Sequence, residues 1–182
     1  MRSDLIEANE IVVNGALISS VINSNHVRVT GIIKSNILNA MSINVNGLTD
    51  VRNISAIETR IHGRINSFKV SSKKIFLNLS GVSRIDEIEA EELIIRSITQ
   101  YGVRGRILTR KIYAIEAYSE FLVAELFVCC QCSIGDFNRI NRFIYGNIIS
   151  VSPTSSFNEK PLGISELCEA KTSSELRFAV PT

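Results

Sequence analysis

Ile22-Asn-Ser-Asn-His-Val-Arg-Val-Thr-Gly31 and Leu38-Asn-Ala-Met-Ser-Ile-Asn-Val-Asn-Gly47 follow one template. Each runs apolar, polar, small, then an alternating apolar pair, and closes on Gly. The closing residue recurs at Gly15, Gly31, Gly47 and Gly63, every 16 residues, with Gly81 a further 18 on. A fixed period of this length is the mark of a repeat architecture. The other columns keep the same period. Ile6, Ile22, Leu38 and Ile54 stand in one, and Ala8, Ser24, Ala40 and Ala56 in the next. Ile11, Val27, Ile43 and Thr59 form a third, and Val13, Val29, Val45 and Ile61 a fourth.

Spacing inside the repeat predicts its shape. Ile22 and Ser24 share parity, so both face one side of a strand. Val27 and Val29 also share parity, but the step from Ser24 to Val27 is odd. Two inward pairs separated by an odd step require the chain to turn a corner between them. The Gly marks a second corner, where positive φ or close approach is useful. Leu17, Ile33, Thr49 and Ile65, two after each Gly, supply a third inward face. Three short strands per repeat describe one triangular coil of a β-solenoid. A helical reading fails, because Val-x-Val and Ile-x-Val have period two.

Taking the small residue as anchor, the series extends through Ala8, Ser24, Ala40, Ala56, Ser72, Ala90, Thr109, Ala124 and Gly146. This predicts an all-β fold, a single-stranded parallel β-helix of about nine coils of 16–19 residues. In this register Cys129 falls five after its anchor and points inward, and Cys130 points outward.

Composition agrees. The chain has 182 residues, with 27 Ile and 14 Val, and β-branched side chains favour strands. The three Pro are Pro153, Pro161 and Pro181, so the first 152 residues contain none and suit an uninterrupted hydrogen-bonded ladder. The expected division is a short N-terminal tail at 1–4, the β-helix at 5–152, and a C-terminal tail or cap at 153–182. Leu162, Ile164, Leu167, Leu176, Phe178 and Val180 are the apolar residues with which that last segment would fold back. A net charge of +2 disfavours nucleic acid and anionic membrane as partners. The opening residues Met1–Glu7 lack the apolar core of a signal peptide, and four Cys, three crowded at 129, 130 and 132, do not read as a disulfide framework. The expectation is a cytoplasmic protein with reduced cysteines.

The two quoted coils resemble those of the bactofilins, polymer-forming cytoskeletal proteins whose coils read apolar-x-Ala, then x-Val-x-Val-x-Gly. The later stretch Ile112-Tyr-Ala-Ile-Glu116 with Glu125-Leu-Phe-Val-Cys-Cys-Gln-Cys-Ser-Ile134 is more similar to the divergent, longer bactofilin-like proteins of Gram-positive bacteria. The resemblance covers about residues 5–152. It implies a right-handed triangular β-helix, no nucleotide, no cofactor, and polymerisation through the ends of the rod. Two features depart from the pattern. The usual Gly-Asp or Gly-Asn step is replaced by Gly15-Ala, Gly31-Ile, Gly47-Leu and Gly63-Arg, and Met1–Asp4 offers no counterpart to a membrane-binding leader.

Residue types that carry chemistry are sparse. His26 and His62 lie in different columns about two coils apart, which suits surface His better than a shared ligand set. Cys129 and Cys130, on opposite faces of a strand, do not share a tetrahedral ion, so no metal is expected. The acidic run Asp86–Glu92 fits the template, with Ile88 and Ala90 inward and Glu89 and Glu91 outward. The basic groups Arg60, Arg64, Lys69, Lys73, Lys74 and Arg104, Arg106, Arg110, Lys111 are interleaved with acids. Phe121, Phe127, Phe137 and Phe143 fit the core and end of the wider late coils.

The expected function is therefore structural and not enzymatic: a homopolymer joined through the ends of the rod. The first coil starts by Leu5, leaving too little chain for a cap. The expected polymer interface is Ile6, Ile11 and Val13 at one end and Phe143, Ile144, Ile149 and Val151 at the other. Gly15, Gly31, Gly47, Gly63 and Gly81 are the coil-corner glycines. Two alternatives stay open: a trimeric β-solenoid enzyme of acyltransferase or hydratase type, and a monomeric scaffold or adaptor.

Overall fold

A computed structural model describes residues 2–100 and 103–177. The chain is all-β, 81% strand with almost no helix, and its parallel strands stack as a β-solenoid. Strand β1 (Arg2–Leu79) is one extended segment that winds through every regular repeat. It begins inside the stretch expected as a tail, because Ser3 heads a column of corner hydroxyls. Ser3, Ser19, Ser35, Ser67 and Thr109 each donate to the carbonyl two residues on, at 2.8–3.4 Å. Ser35 and Ser67 also lie within reach of carbonyls one turn below, those of Ser20 and Arg52. The hydroxyl thus satisfies backbone groups that a bend withdraws from the ladder.

The Gly corner works by close approach. Gly15, Gly31, Gly47 and Gly63 have φ between 124° and 139°, a region L side chains rarely adopt. A Cβ on Gly47 would lie 2.0 Å from the Gly31 carbonyl oxygen, and one on Gly31 would lie 2.1 Å from that of Gly15. Only a column of glycines lets successive corners stack at this distance.

Beyond Leu79 the winding continues in separate strands. These are β2 (Val82–Ser97), β5 (Arg106–Ser119), β6 (Leu122–Ile134) and β7 (Arg139–Val151). They stack in parallel in the order β1-β2-β5-β6-β7. Between β2 and β5 a small antiparallel hairpin, β3 (Thr99–Gln100) and β4 (Val103–Arg104), leaves the stack. The solenoid has about five turns, not the nine expected. The uniform winding ends where Ser80–Gly81 and then the hairpin interrupt the strand.

Core columns run the length of the stack. Val70, Ile88, Ile112, Phe127 and Phe143 lie one above another, all buried. The small column continues from Ser72 through Ala90, Ala114 and Cys129 to Tyr145. This corrects the expected anchors Thr109, Ala124 and Gly146. Thr109 and Ala124 belong instead to the column that Ser3 heads, which passes through Ser67 and Ile85. The hairpin lengthens one turn and shifts every later position against the count. Phe121 and Phe137, also expected in the core or at its end, sit at a corner instead. Their φ values are 51° and 56°, their rings are 4.9 Å apart, and Phe137 is exposed.

After β7 the chain turns back. Strand β8 (Ser156–Phe157) pairs with Arg139 and Ile140, and β9 (Leu162–Gly163) with Ile144 and Tyr145. A 3-10 turn (Ser165–Glu169) and a one-turn helix α1 (Ser173–Leu176) then lie along the flank. Among the described residues, no helix is long and apolar enough to cross a membrane.

Candidate functional site: the two ends of the solenoid

At the N-terminal end, Ile6 and Ile11 are the outermost core residues, and Val13 packs half-buried beside them. Deeper members of their columns, such as Ile22 and Ile75, are fully buried. A Cβ on Gly15 would meet nothing within 4 Å, whereas the three following glycines each touch the corner below. Among the described residues, this corner of the first turn is therefore open.

The opposite end is partly closed. Phe157 stacks on Phe143, with ring centroids 5.3 Å apart, and extends the core by one ring. Asn138 takes the place an aliphatic residue holds in lower turns. Its side-chain amide donates to the Ser119 and Gly135 carbonyls at 2.9 and 2.8 Å, and its oxygen accepts from the Leu122 amide. Ser155 then accepts from the Asn138 amide and donates to the Gly135 carbonyl. One side of this end stays uncovered. Val151, stacked on the buried Ile134, is 41% exposed there, whereas Ile149, expected beside it, lies in the bulge of β7 on the flank, beside Ile94, Tyr118 and Ser133.

Ile144 is placed differently from its expected role. It is fully buried but faces away from the core. With Tyr113 and Val128 it forms a lateral apolar strip that Leu167 and Leu176 of the returning segment cover. Of the other residues expected to fold back, Ile164 packs against this cluster, Leu162 is exposed, and Phe178 and Val180 lie outside the described residues.

An ionic cluster pins the same segment. Lys69 Nζ lies 2.8 Å from both Glu87 and Glu89, and Arg177 reaches the same two carboxylates at 3.0 and 2.9 Å. The Arg177 guanidinium also lies over the Tyr113 ring. Burial pulls the Lys69 ammonium down, but hydrogen bonds to Glu87 and Glu89 and their charges outweigh it and hold its pKa above the ordinary value. Burial pushes the Glu87 carboxyl up, but the hydrogen bond and charge of Lys69, with the charge of Arg177, hold it below. Glu89, expected to face solvent, is buried under Arg177. Elsewhere, the Tyr118 hydroxyl is pushed up to about 12 by its hydrogen bond to Glu120 and by burial. Glu120 also accepts from the Ser97 amide, so this pair ties a corner.

The expectation of reduced cysteines is overturned. Cys129 is bonded to Cys132, and Cys130 to Cys168. Cys129 stands at the anchor position above Ala114, not five after it, and Cys132 stands above Ala117. Both therefore point into the core from either side of one corner, which brings their sulfurs together. Cys130 leaves the strand on the outer face, as its parity requires, but the returning segment buries it.

His26 and His62 are exposed on separate turns. Among the described residues, no group of three or more His, Cys, Asp or Glu is placed to hold a metal ion. Of the basic groups, Lys69 joins the cluster above, and Arg60 pairs with Glu58, Lys74 with Glu92, and Arg110 with Asp86. The repeat spacing stacks Lys69 on Glu87, but nothing in it pointed to Arg177, 90 residues beyond Glu87. Compared with protein-family models, curated proteins and solved structures, the chain matches none.

Proposed function

We propose that this protein is a structural solenoid that self-assembles end to end, without nucleotide, into filaments of the kind the bactofilin resemblance implies. On this reading the winding is right-handed. The protein acts in the cytoplasm, and its partner is a second copy of itself. The observation that carries the reading is the open first turn. A solenoid end leaves strand edges unpaired and core side chains facing water, and pairing with another end satisfies both. Val151, exposed above the buried Ile134, offers an apolar position at the other end.

A second reading is favoured by the returning segment. Phe157 and β9 cover much of the C-terminal end, which leaves the N-terminal end as the better joint and gives a two-fold dimer in place of a filament. Negative-stain microscopy and light scattering over a wide concentration range test both. Filaments that lengthen with concentration and need no nucleotide support the first, and a population stopping at twice the monomer mass supports the second. Discrete trimers would favour the enzyme alternative, and strictly monomeric rods the scaffold.

A further inference from the structure

The two disulfides sit in opposite surroundings. Cys129 and Cys132 are both fully buried within the core. In the other pair, Cys130 is 3% exposed, but Cys168 lies exposed on the 3-10 turn Ser165–Glu169. Disulfide exchange requires a thiolate to reach one sulfur directly. Solvent access therefore opens one bridge to reductants and withholds the other.

The exposed bridge also spans two parts of the molecule. Cys130 belongs to β6 and Cys168 to the returning segment, 38 residues on. Next to Cys130 on the following turn stands Gly146. A Cβ there would lie 2.5 Å from the Cys168 sulfur and 3.0 Å from the Cys130 carbonyl. The bridge is thus seated in a notch that only a glycine leaves open. Beside it lie Leu167 on one side and the Tyr113–Val128–Ile144 strip on the other.

We propose that Cys130–Cys168 is a thiol–disulfide latch that holds residues 164–177 over this strip, and that a dithiol reductant releases it while Cys129–Cys132 stays closed. In the opening step a thiolate of the dithiol attacks the sulfur of Cys168, the exposed residue of the pair. The Cys130–Cys168 bond breaks, and Cys130 leaves as a thiolate that takes a proton from water. The second thiol of the reductant then attacks the mixed disulfide and frees Cys168. Two electrons and two protons pass to the protein, and the dithiol leaves as a disulfide. With the bridge gone, the segment is held by Leu167 and Leu176, by Ile164 and Ala170 packed beside them, and by the Arg177 ion pairs. Elements held by few apolar contacts open locally at low cost.

The test is a dithiothreitol titration of the native, air-oxidised protein, followed by alkylation and mass mapping. Expected is alkylation of Cys130 and Cys168 at reductant concentrations that leave Cys129 and Cys132 unlabelled. Tryptic cleavage after the exposed Lys171 should accelerate on the order of tenfold in step with that labelling. Cys168→Ser should cleave at the reduced rate without reductant. Gly146→Ala, which keeps all four cysteines, should shift the opening to lower reductant concentration. Simultaneous labelling of all four cysteines overturns the proposal. So does an oxidised protein in which Cys130 and Cys168 are already free, or a Lys171 cleavage rate that ignores reductant in parent and Cys168→Ser alike.

Discussion

Gly47 and Gly15 occupy the same corner of the same repeat, yet only one has a neighbour below it. Alanine at either position must adopt a φ near 124–139°, a strain of about 1–3 kcal/mol. At Gly47 the new methyl also meets a carbonyl at 2.0 Å, so backbone must move, at a further cost of about 1–3 kcal/mol. Gly47→Ala should melt below Gly15→Ala by at least about 2 °C in circular dichroism. Equal melting temperatures would show that the corner does not stack as described. Two buried threonines give a second contrast. Thr49 places its hydroxyl in the core with no partner, whereas the Thr59 hydroxyl bonds that of Ser72 at 2.7 Å. Thr49→Val should stabilise by about 1 kcal/mol, since it removes an unsatisfied polar group. Thr59→Val should destabilise by about 1–3 kcal/mol, because it strands the Ser72 hydroxyl. Denaturant midpoints that move in the same direction for both would contradict this account.

At the scale of the element, the returning segment is held by charge as well as by apolar contact, which makes it sensitive to pH. Glu87 has its pKa lowered from 4.5 by Lys69 and Arg177. A lowered carboxylate contributes stability above its ordinary pKa and loses it as pH falls through the lowered value. Lys69, raised from 10.5, contributes below its ordinary pKa and loses that contribution as pH climbs past the raised value. Between these limits the cluster is intact. In the reduced protein, where the bridge no longer holds the segment, amides of 165–177 should lose hydrogen-exchange protection as pH falls below 4.5, the ordinary value for Glu87, after correction for intrinsic rates. Arg177→Ala should show the same loss at pH 7. Retained protection in both cases would mean that Leu167 and Leu176 suffice. This element also marks where the sequence stops being legible. In β1 a Gly every 16 residues pins every column, and the parity break alone predicts the corner. Past Gly81 the pin is gone, Phe121 and Phe137 take positive-φ corners, and the hairpin adds residues to one turn. Thr109 and Ala124 then imitate the small anchor column that Ala114 and Cys129 occupy. That slip also hid the Cys129–Cys132 pair, because both cysteines point inward only in the true register. Glu87 and Glu89 share a face by parity, but Arg177 reaches them only through the returning chain, which no local pattern encodes.

For the whole molecule the open question is which ends meet, and symmetry makes it measurable. Head-to-tail joints use both ends and propagate, whereas a two-fold joint uses one end twice and stops. Val13 borders the open N-terminal turn, and Val151 the uncovered side of the C-terminal end. An arginine at either place would sit unpaired in any joint it enters, and a buried unpaired charge is costly enough to prevent association. Asn39 lies on an outward column, where it donates to Asn23 one turn below, so Asn39→Arg serves as the lateral control. In a head-to-tail filament both Val13→Arg and Val151→Arg should reduce assembly to soluble monomers that stay β-rich by circular dichroism. In a two-fold dimer only Val13→Arg should do so. Each joint hides apolar side chains worth on the order of 25 cal/mol per Å² and pairs a backbone edge, so moderate salt should leave assembly intact. Assembly that survives both end substitutions, or that fails equally in Asn39→Arg, places the contact on the flanks and removes the ends from the function.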